Sequence, residues 1–205
     1  MTTHFCVNLK KEINELKLTK DNYVSVNDKS SINKGVVYSE EWCMAHLKKC
    51  LDNFKLNMSY FASLDKNKFD STVDTFVDDF KFAEVRNLND YMDEEGYYLM
   101  ILDEYKQAYI GISGNIKRRI MQHWSKTKAF DRLIFGSVEN SIISIDSFRA
   151  LDTTRIFVLI KNDISEKENE YIEKFSSQYL LNRTIGGKLS GLGEAISSGK
   201  IRYLI

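Results

Sequence analysis

The chain has 205 residues, of which 43% are hydrophobic and 28% are charged, and its formal net charge is zero. This composition is typical of a globular protein that buries a core, and no window approaches the roughly 18 uninterrupted apolar residues of a membrane-spanning helix. Because the N-terminus lacks the pattern of a signal peptide and three cysteines do not form a disulfide framework, we expect a cytoplasmic protein that does not bind membranes.

The N-terminal part of the chain is predicted to be rich in helix. Apolar residues recur at helical spacing in NLKKEINELKL (residues 8–18) and in DSTVDTFVDDFKF (residues 70–82). A third such segment, SEEWCMAHLKKCLDNFKL (residues 39–56), opens with Ser39 as a plausible N-cap.

The helix predicted at residues 39–56 also carries potential zinc ligands. Cys43, His46 and Cys50 have the spacing i, i+3 and i+7, which places them on one helix face, and His4 and Cys6 lie near the N-terminus. The paired CxxC spacing of zinc modules is missing, and such residues on the inward face of a helix are more often packing residues. Packing is therefore the favoured interpretation, and zinc binding is the alternative.

A domain boundary is predicted near residue 93. The acidic, turn-like segment MDEEG (residues 92–96) ends the helical pattern, and runs of strand character follow it. We therefore divide the chain into a helix-rich region, residues 1–93, and a second domain, residues 94–205. The first region would serve substrate binding, regulation or dimerisation.

The second domain begins with two predicted strands, YYLMIL (residues 97–102) and QAYIGIS (residues 107–113). In an antiparallel hairpin with a loop of two or four residues, Tyr98 and Tyr109 share a face, because side chains alternate with period two. A two-residue loop would place the two rings directly opposite one another. Gly111 on the same face leaves space where something could approach the backbone.

The next segment, NIKRRIMQHW, is predicted to be a helix. Ile116, Ile120 and Trp124 recur every four residues and form one buried stripe. Arg119 and His123 form a parallel stripe beside it, at the border of the core, a position suited to binding an anion in a cleft. For either residue alone, a surface salt bridge or a satisfied group at the core edge is the more common explanation.

A strand, RIFVLI (residues 155–160), and a helix from Ser165 complete the predicted elements. Ser165 and Glu168 have the spacing of a capping box, which is a purely structural explanation. On a helical wheel, however, Glu168 lies near the centre of the apolar face, whereas Glu170 lies on the far side. A carboxylate directed at a core is costly unless it is paired, protonated or bound to a cation, so Glu168 is a candidate metal ligand. Asn182 follows in a turn.

Charge is unevenly distributed along the chain. Residues 1–95 carry 13 Lys and Arg against 17 Asp and Glu, so the remaining residues carry four excess positive charges. Such clustering predicts a local cationic surface, although a solvated helix face is the simpler explanation. The basic cluster comprises Lys106, Lys117, Arg118, Arg119, Lys126, Lys128 and Arg132.

Taken together, these features resemble the motif series of the GIY-YIG nucleases. The triplets GYY and YIG place their tyrosines 11 positions apart, and the remaining motif residues follow in order at suitable spacing. The resemblance covers residues 94 to about 187, with Tyr97 where the family name has Ile, and Tyr97 should point to the opposite sheet face. The series consists of Tyr98, Tyr109, Arg119, His123, Glu168 and Asn182.

The resemblance implies an α+β fold, with a small three-stranded mixed sheet flanked by helices. It also implies cleavage of a phosphodiester with one divalent metal, Mg²⁺ or Mn²⁺, which Glu168 would hold. Tyr98 would contact the attacking water and act as general base. His123 or Lys106 would ease the loss of its proton, since an ordinary tyrosine pKa is about 10.

The remaining motif residues would bind or brace the substrate. Tyr109 would position the water or the phosphate, and Arg119 would donate to the non-bridging phosphate oxygens. Asn182 would brace the site through hydrogen bonds. Contacts to the nucleic-acid backbone would come from the other basic residues of the cluster, Lys106, Lys117, Arg118, Lys126, Lys128 and Arg132.

The leading interpretation is a metal-dependent DNA endonuclease of restriction or mobile-element type, with RNA left open as a substrate. One rival is a non-catalytic nucleic-acid-binding module with the same fold. Another is a partner-binding protein that acts through its N-terminal helices. Cutting both strands with one site per chain would favour a homodimer, by symmetry alone.

Overall fold

The structure is a computed structural model that describes residues 2–9, 41, 59–124, 150–161 and 168–182. These residues form an α+β fold with two antiparallel sheets. No helix in these ranges has the length and apolar character needed to cross a membrane. The elements in chain order are β1 (Thr2–His4), β2 (Val7–Leu9), α1 (Lys66–Phe80), β3 (Ala83–Glu84), β4 (Gly96–Leu102), β5 (Gln107–Ser113), α2 (Ile116–His123), β6 (Arg155–Ile160) and α3 (Glu168–Lys174).

The main sheet has four strands in the order β3-β6-β4-β5. Strand β4 is central, and all of its residues are buried, which explains its nearly continuous apolar sequence. The predicted three-stranded mixed sheet is therefore wrong in both strand number and pairing. Each of the described strand pairs is antiparallel, and the parallel pairing is an isolated bridge between Ala108 and Leu180. Strand β3 was missed because two residues carry no periodicity.

The β4–β5 hairpin has a four-residue connection. A short 3-10 helix, Asp103–Tyr105, is followed by Lys106 in the left-handed region, with φ 50°. This loop pairs Tyr98 with Gly111 and Met100 with Tyr109. The prediction that the two tyrosines share a face is confirmed. The alternative with a two-residue loop, which placed them directly opposite, is wrong, because the turn adds two residues to the connection and shifts the register.

The sheet buries both of its faces. The face that carries Tyr98 packs against α2 and the N-terminal strands, and the face that carries Tyr97 packs against α1 and α3. The predicted orientation of Tyr97 is confirmed, since its ring is fully buried and meets the Tyr171 ring edge-on, with centroids 4.8 Å apart. Below, these two sides are called the Tyr98 face and the Tyr97 face.

The described N-terminal residues only partly match the predicted helices. The helix predicted at residues 70–82 is confirmed by α1, whose N-cap Asp65 accepts a hydrogen bond from the Lys68 backbone N–H at 2.9 Å. The helix predicted from residue 8 is wrong at its start, because Val7–Leu9 is a strand whose alternating side chains are buried. The remainder of that helix and nearly all of residues 39–56 lie outside the described residues.

Both hydrophobic clusters cross the predicted boundary at residue 93. Leu9 and Leu88 pack in the cluster on the Tyr98 face, and Phe69 packs in the cluster on the Tyr97 face. Strand β3 also pairs with β6. Although the division into two regions stays a prediction for the whole chain, the described residues on its two sides share their cores.

An ion-pair network joins α1 to the end of the hairpin and to β6. The Arg155 guanidinium donates to Asp103 at 2.6 Å and to Asp70 at 3.1 Å. Lys66 contacts the same two carboxylates. Burial alone would raise the pKa of Asp103, but hydrogen bonds from Arg155, Thr154 and Lys66 and the positive charge of Arg155 outweigh it and hold that pKa below its ordinary value.

Candidate active site

A hydrogen bond between Tyr98 and His123 lies at the centre of the Tyr98 face. The Tyr98 hydroxyl oxygen and the His123 Nε2 are 2.7 Å apart. Tyr98 is 1% exposed and His123 is fully buried. In the tautomer with the proton on Nδ1, the phenol donates and Nε2 accepts. Burial strengthens this hydrogen bond, because the local dielectric is lower than that of water.

The Tyr109 ring completes a three-ring group with this pair. Its centroid lies 4.9 Å from that of His123, edge-on, and 6.4 Å from that of Tyr98. The prediction of open space beside Gly111 is wrong, because the Tyr98 ring occupies that position. A Cβ built on Gly111 would lie 2.2 Å from both Cζ and the hydroxyl oxygen of Tyr98. Glycine at 111 therefore lets the Tyr98 ring lie across the backbone of β5.

Helix α2 places His123 over the two tyrosines. The side chain of Asn115 caps the helix by accepting from the Arg118 backbone N–H at 2.8 Å. The predicted stripe of Ile116, Ile120 and Trp124 is buried, as expected. The predicted border position is wrong for His123, whose ring is fully buried because the last turn of the helix lies over the sheet.

Arg119 occupies the border position that the sequence predicts. It is half-buried one helical turn before His123, and its Nη1 donates to the Gln122 side chain at a long 3.4 Å. Helix α2 therefore carries a cationic side chain one turn before His123, on the same helix face.

Asn182 braces the edge strand β5. Its side-chain oxygen accepts from the Ile110 backbone N–H at 2.8 Å, and its Nδ2 donates to the Ile110 carbonyl at 2.6 Å. The neighbouring Leu181 N–H donates to the Ala108 carbonyl at 2.7 Å. Because Ile110 follows Tyr109 directly, Asn182 holds the backbone that carries one of the three rings.

Glu168 is the first residue of α3, and its side chain lies outside what the structure describes. The helix buries Tyr171 and Phe175 on the Tyr97 face, and Glu170 and Glu173 are exposed, as the helical wheel predicts. The structure therefore brings Tyr98, Tyr109 and His123 together, with Arg119 one helical turn before His123 and Asn182 bonded to the backbone of β5. It places the helix of Glu168 across the sheet from them, so an approach of Glu168 to the site stays a prediction.

The basic residues predicted to bind nucleic acid are placed unevenly. The Lys106 ammonium donates to the Phe61 carbonyl at 2.7 Å. Lys106 precedes Gly111, the residue that pairs with Tyr98, by five positions. Five residues of extended strand span about 16 Å. Lys117 donates to the Asn89 side chain at 2.8 Å, and Arg118 is exposed. Lys126, Lys128 and Arg132 lie outside the described residues.

Potential metal ligands do not cluster in the part of the chain that is described. No group of three or more His, Cys, Asp or Glu side chains lies together there. The His4 Nε2 contacts the Thr153 carbonyl at 2.7 Å, and Cys6 is an exposed free thiol. The hypothetical zinc ligands Cys43, His46 and Cys50 lie outside the described residues.

Sequence reasoning missed Thr153, which is fully buried behind α2. Its hydroxyl accepts from the Trp124 indole N–H at 2.9 Å. A single threonine outside any periodic segment gives no signal of such a role.

Comparison of the chain with protein-family models, with curated proteins and with solved structures finds no match.

Proposed function

We propose that the chain is a metal-dependent endonuclease that hydrolyses the phosphodiester bonds of DNA. The observation that carries the proposal is the buried hydrogen bond of 2.7 Å between Tyr98 and His123, with the Tyr109 ring beside it. Two tyrosines and a histidine that share one buried site are more than packing requires, since apolar side chains would fill the same volume without polar atoms to satisfy.

Tyr98 is the proposed general base. A phenol with an ordinary pKa of about 10 is a poor base near neutral pH until its proton is removed. The His123 Nε2 stands in position to accept that proton, and the phenolic oxygen can then accept one from a water molecule. Lys106, the other candidate for this task, is engaged at the far end of the hairpin.

We assign substrate binding to Arg119 and Tyr109, with Asn182 as a structural support. Arg119 would donate to the non-bridging oxygens of the scissile phosphate, which gain negative charge in the transition state. Tyr109, at 8% exposure, is the most accessible of the three rings and would orient the phosphate or the water. Asn182 would keep β5 in place through its two bonds to Ile110. The proposed backbone contacts come from Lys117, Arg118, Lys126, Lys128 and Arg132.

The proposed metal is Mg²⁺ or Mn²⁺, held by Glu168. Such hard cations are commonly bound by one or two carboxylates together with water and phosphate oxygens. A bound divalent ion would stabilise the charge that develops on the leaving oxygen.

A plasmid assay tests the proposal. We expect the purified protein to cut supercoiled plasmid in the presence of Mg²⁺, and Glu168→Ala and Arg119→Ala to lose at least about 100-fold in rate. Glu173→Ala, an exposed carboxylate on the same helix as Glu168, is the matched control and should cut normally. Retained cutting by both Glu168→Ala and Arg119→Ala would refute the site assignment.

Burial of the pair favours a second candidate, a nucleic-acid-binding module that does not cut. Tyr98 is 1% exposed, so its hydroxyl is barely accessible to a phosphodiester. If the wild-type protein retains DNA or RNA in a gel-shift assay but cuts neither with Mg²⁺ or Mn²⁺, the binding module is the correct interpretation. Sedimentation with and without DNA tests the homodimer.

A further inference from the structure

Strands β1 and β2 form a hairpin, called here the N-terminal hairpin, whose turn lies against the end of α2. Phe5 and Cys6 form this turn with positive φ values of 46° and 60°, which residues other than glycine rarely adopt. The Phe5 ring stacks on Trp124, with centroids 6.3 Å apart and planes inclined by 21°. The His4 ring meets the same indole at 5.6 Å. Positive φ at both residues is what a two-residue hairpin turn favours, so the turn itself accounts for this backbone.

Thr153 links the hairpin and the helix by a second route. Its hydroxyl accepts from the Trp124 indole N–H at 2.9 Å, and its carbonyl contacts the His4 Nε2 at 2.7 Å. A carbonyl oxygen can only accept, so His4 carries a proton on Nε2. Trp124 is thereby held by stacking on one side and by a buried hydrogen bond on another.

The restraint on Trp124 acts on His123, the residue that precedes it in the chain. Trp124 is the C-cap of α2, directly after His123, and its backbone N–H bonds to the Ile120 carbonyl at 3.3 Å. A rotation of this last turn would move the His123 ring away from the Tyr98 hydroxyl. Hydrogen bonds near 2.7 Å weaken steeply with small changes in distance and angle, so the pair is sensitive to the position of the indole.

We propose that the N-terminal hairpin is a positioning device for the candidate active site, in which Phe5 and Thr153 fix Trp124 and thereby hold His123 against Tyr98. Neither Phe5 nor Thr153 touches the reacting groups. The catalytic consequence rests on the proposed nuclease function, whereas the effect on the histidine does not. Residues 2–9 would then support the site, in addition to any role of residues 1–93 in substrate binding, regulation or dimerisation.

Nuclear magnetic resonance of ¹⁵N-labelled histidine tests the positioning directly. The chain has three histidines, so the His123 Nε2 signal is assigned by its loss in His123→Gln. We expect Thr153→Val, which removes the acceptor of the indole N–H, and Phe5→Leu each to move this signal away from its wild-type position. Thr153→Ser, which keeps the hydroxyl, should restore it. An unchanged signal in both Thr153→Val and Phe5→Leu overturns the proposal.

Cleavage kinetics provide the second readout. We expect Thr153→Val to lower kcat about 10-fold to 100-fold with little change in KM, because the base is misplaced while the phosphate contacts remain. Val73→Ala removes buried volume on the Tyr97 face and controls for lost stability, so its kcat and its His123 signal should stay at the wild-type values. A moved signal with unchanged kcat contradicts the catalytic consequence of the positioning. Absence of cutting by the wild type refutes the nuclease function and leaves the resonance result to decide whether the hairpin positions His123.

Discussion

Substitution of Gly111 by alanine would test the arrangement of the three rings most directly. The added Cβ would lie 2.2 Å from the Cζ and from the hydroxyl oxygen of Tyr98. That is roughly 1.3 Å short of the closest favourable carbon contact. Gly111 lies within β5 and has no positive φ, so the backbone itself accepts alanine. The Tyr98 ring cannot swing aside freely, because it is buried and bonded to His123.

The expected cost has two parts. Overpacking of a core costs about 1–3 kcal/mol, and loss of a buried hydrogen bond costs about 1–3 kcal/mol more. The free energy of unfolding should therefore fall by roughly 2–6 kcal/mol if the Tyr98–His123 bond breaks. At 2–4 °C for each kcal/mol in a chain of this size, even the lower value lowers Tm by about 4–8 °C.

Calorimetry or urea unfolding followed by circular dichroism measures this effect. Gly114→Ala is the matched control, because a Cβ at that position meets nothing within 4 Å. A second test combines Gly111→Ala with Tyr98→Leu, which removes the ring atoms, so the two costs should not add. If Gly111→Ala unfolds like the wild type, or if its cost is unchanged in the Tyr98→Leu background, the Tyr98 ring does not lie over β5.

Two further predictions concern the edge strand and the ion-pair network. Asn182→Leu keeps the side-chain size but loses both hydrogen bonds to Ile110. We expect the free energy of unfolding to fall by about 2 kcal/mol and the Ile110 amide to exchange its hydrogen faster. Unchanged protection of that amide would contradict the bracing role. The pKa of Asp103 is lowered in the folded state, so its contribution to stability is complete above the unfolded value of about 3.9 and is lost as the pH falls through the lower folded value. Asp103→Asn should therefore be less stable than wild type at pH 7 and show a smaller further loss between about pH 4 and pH 2; parallel pH profiles of unfolding free energy would refute this.

Much of the domain after residue 94 was predictable from local pattern. The segment 107–113 coincides with β5, the segment 155–160 coincides with β6, and the predicted helix after Asn115 is α2. The shared face of the two tyrosines also followed, because alternation along a strand depends on the backbone alone. The strands of the N-terminal hairpin did not follow, because three-residue strands carry too little periodicity and form through pairing and burial of Val7 and Leu9.

The candidate site was likewise predictable only in part from the sequence. The sequence determined which residues are polar within apolar elements, and it placed Arg119 and His123 on one helix face. Only the tertiary structure decided that the hairpin turn has four residues, that His123 is fully buried against Tyr98, and that α3 packs on the opposite sheet face. Local spacing fixes the direction of a side chain within its own element. The distance between atoms on different elements depends on loop conformation and on how the two surfaces pack, and neither has a period that can be read along the chain.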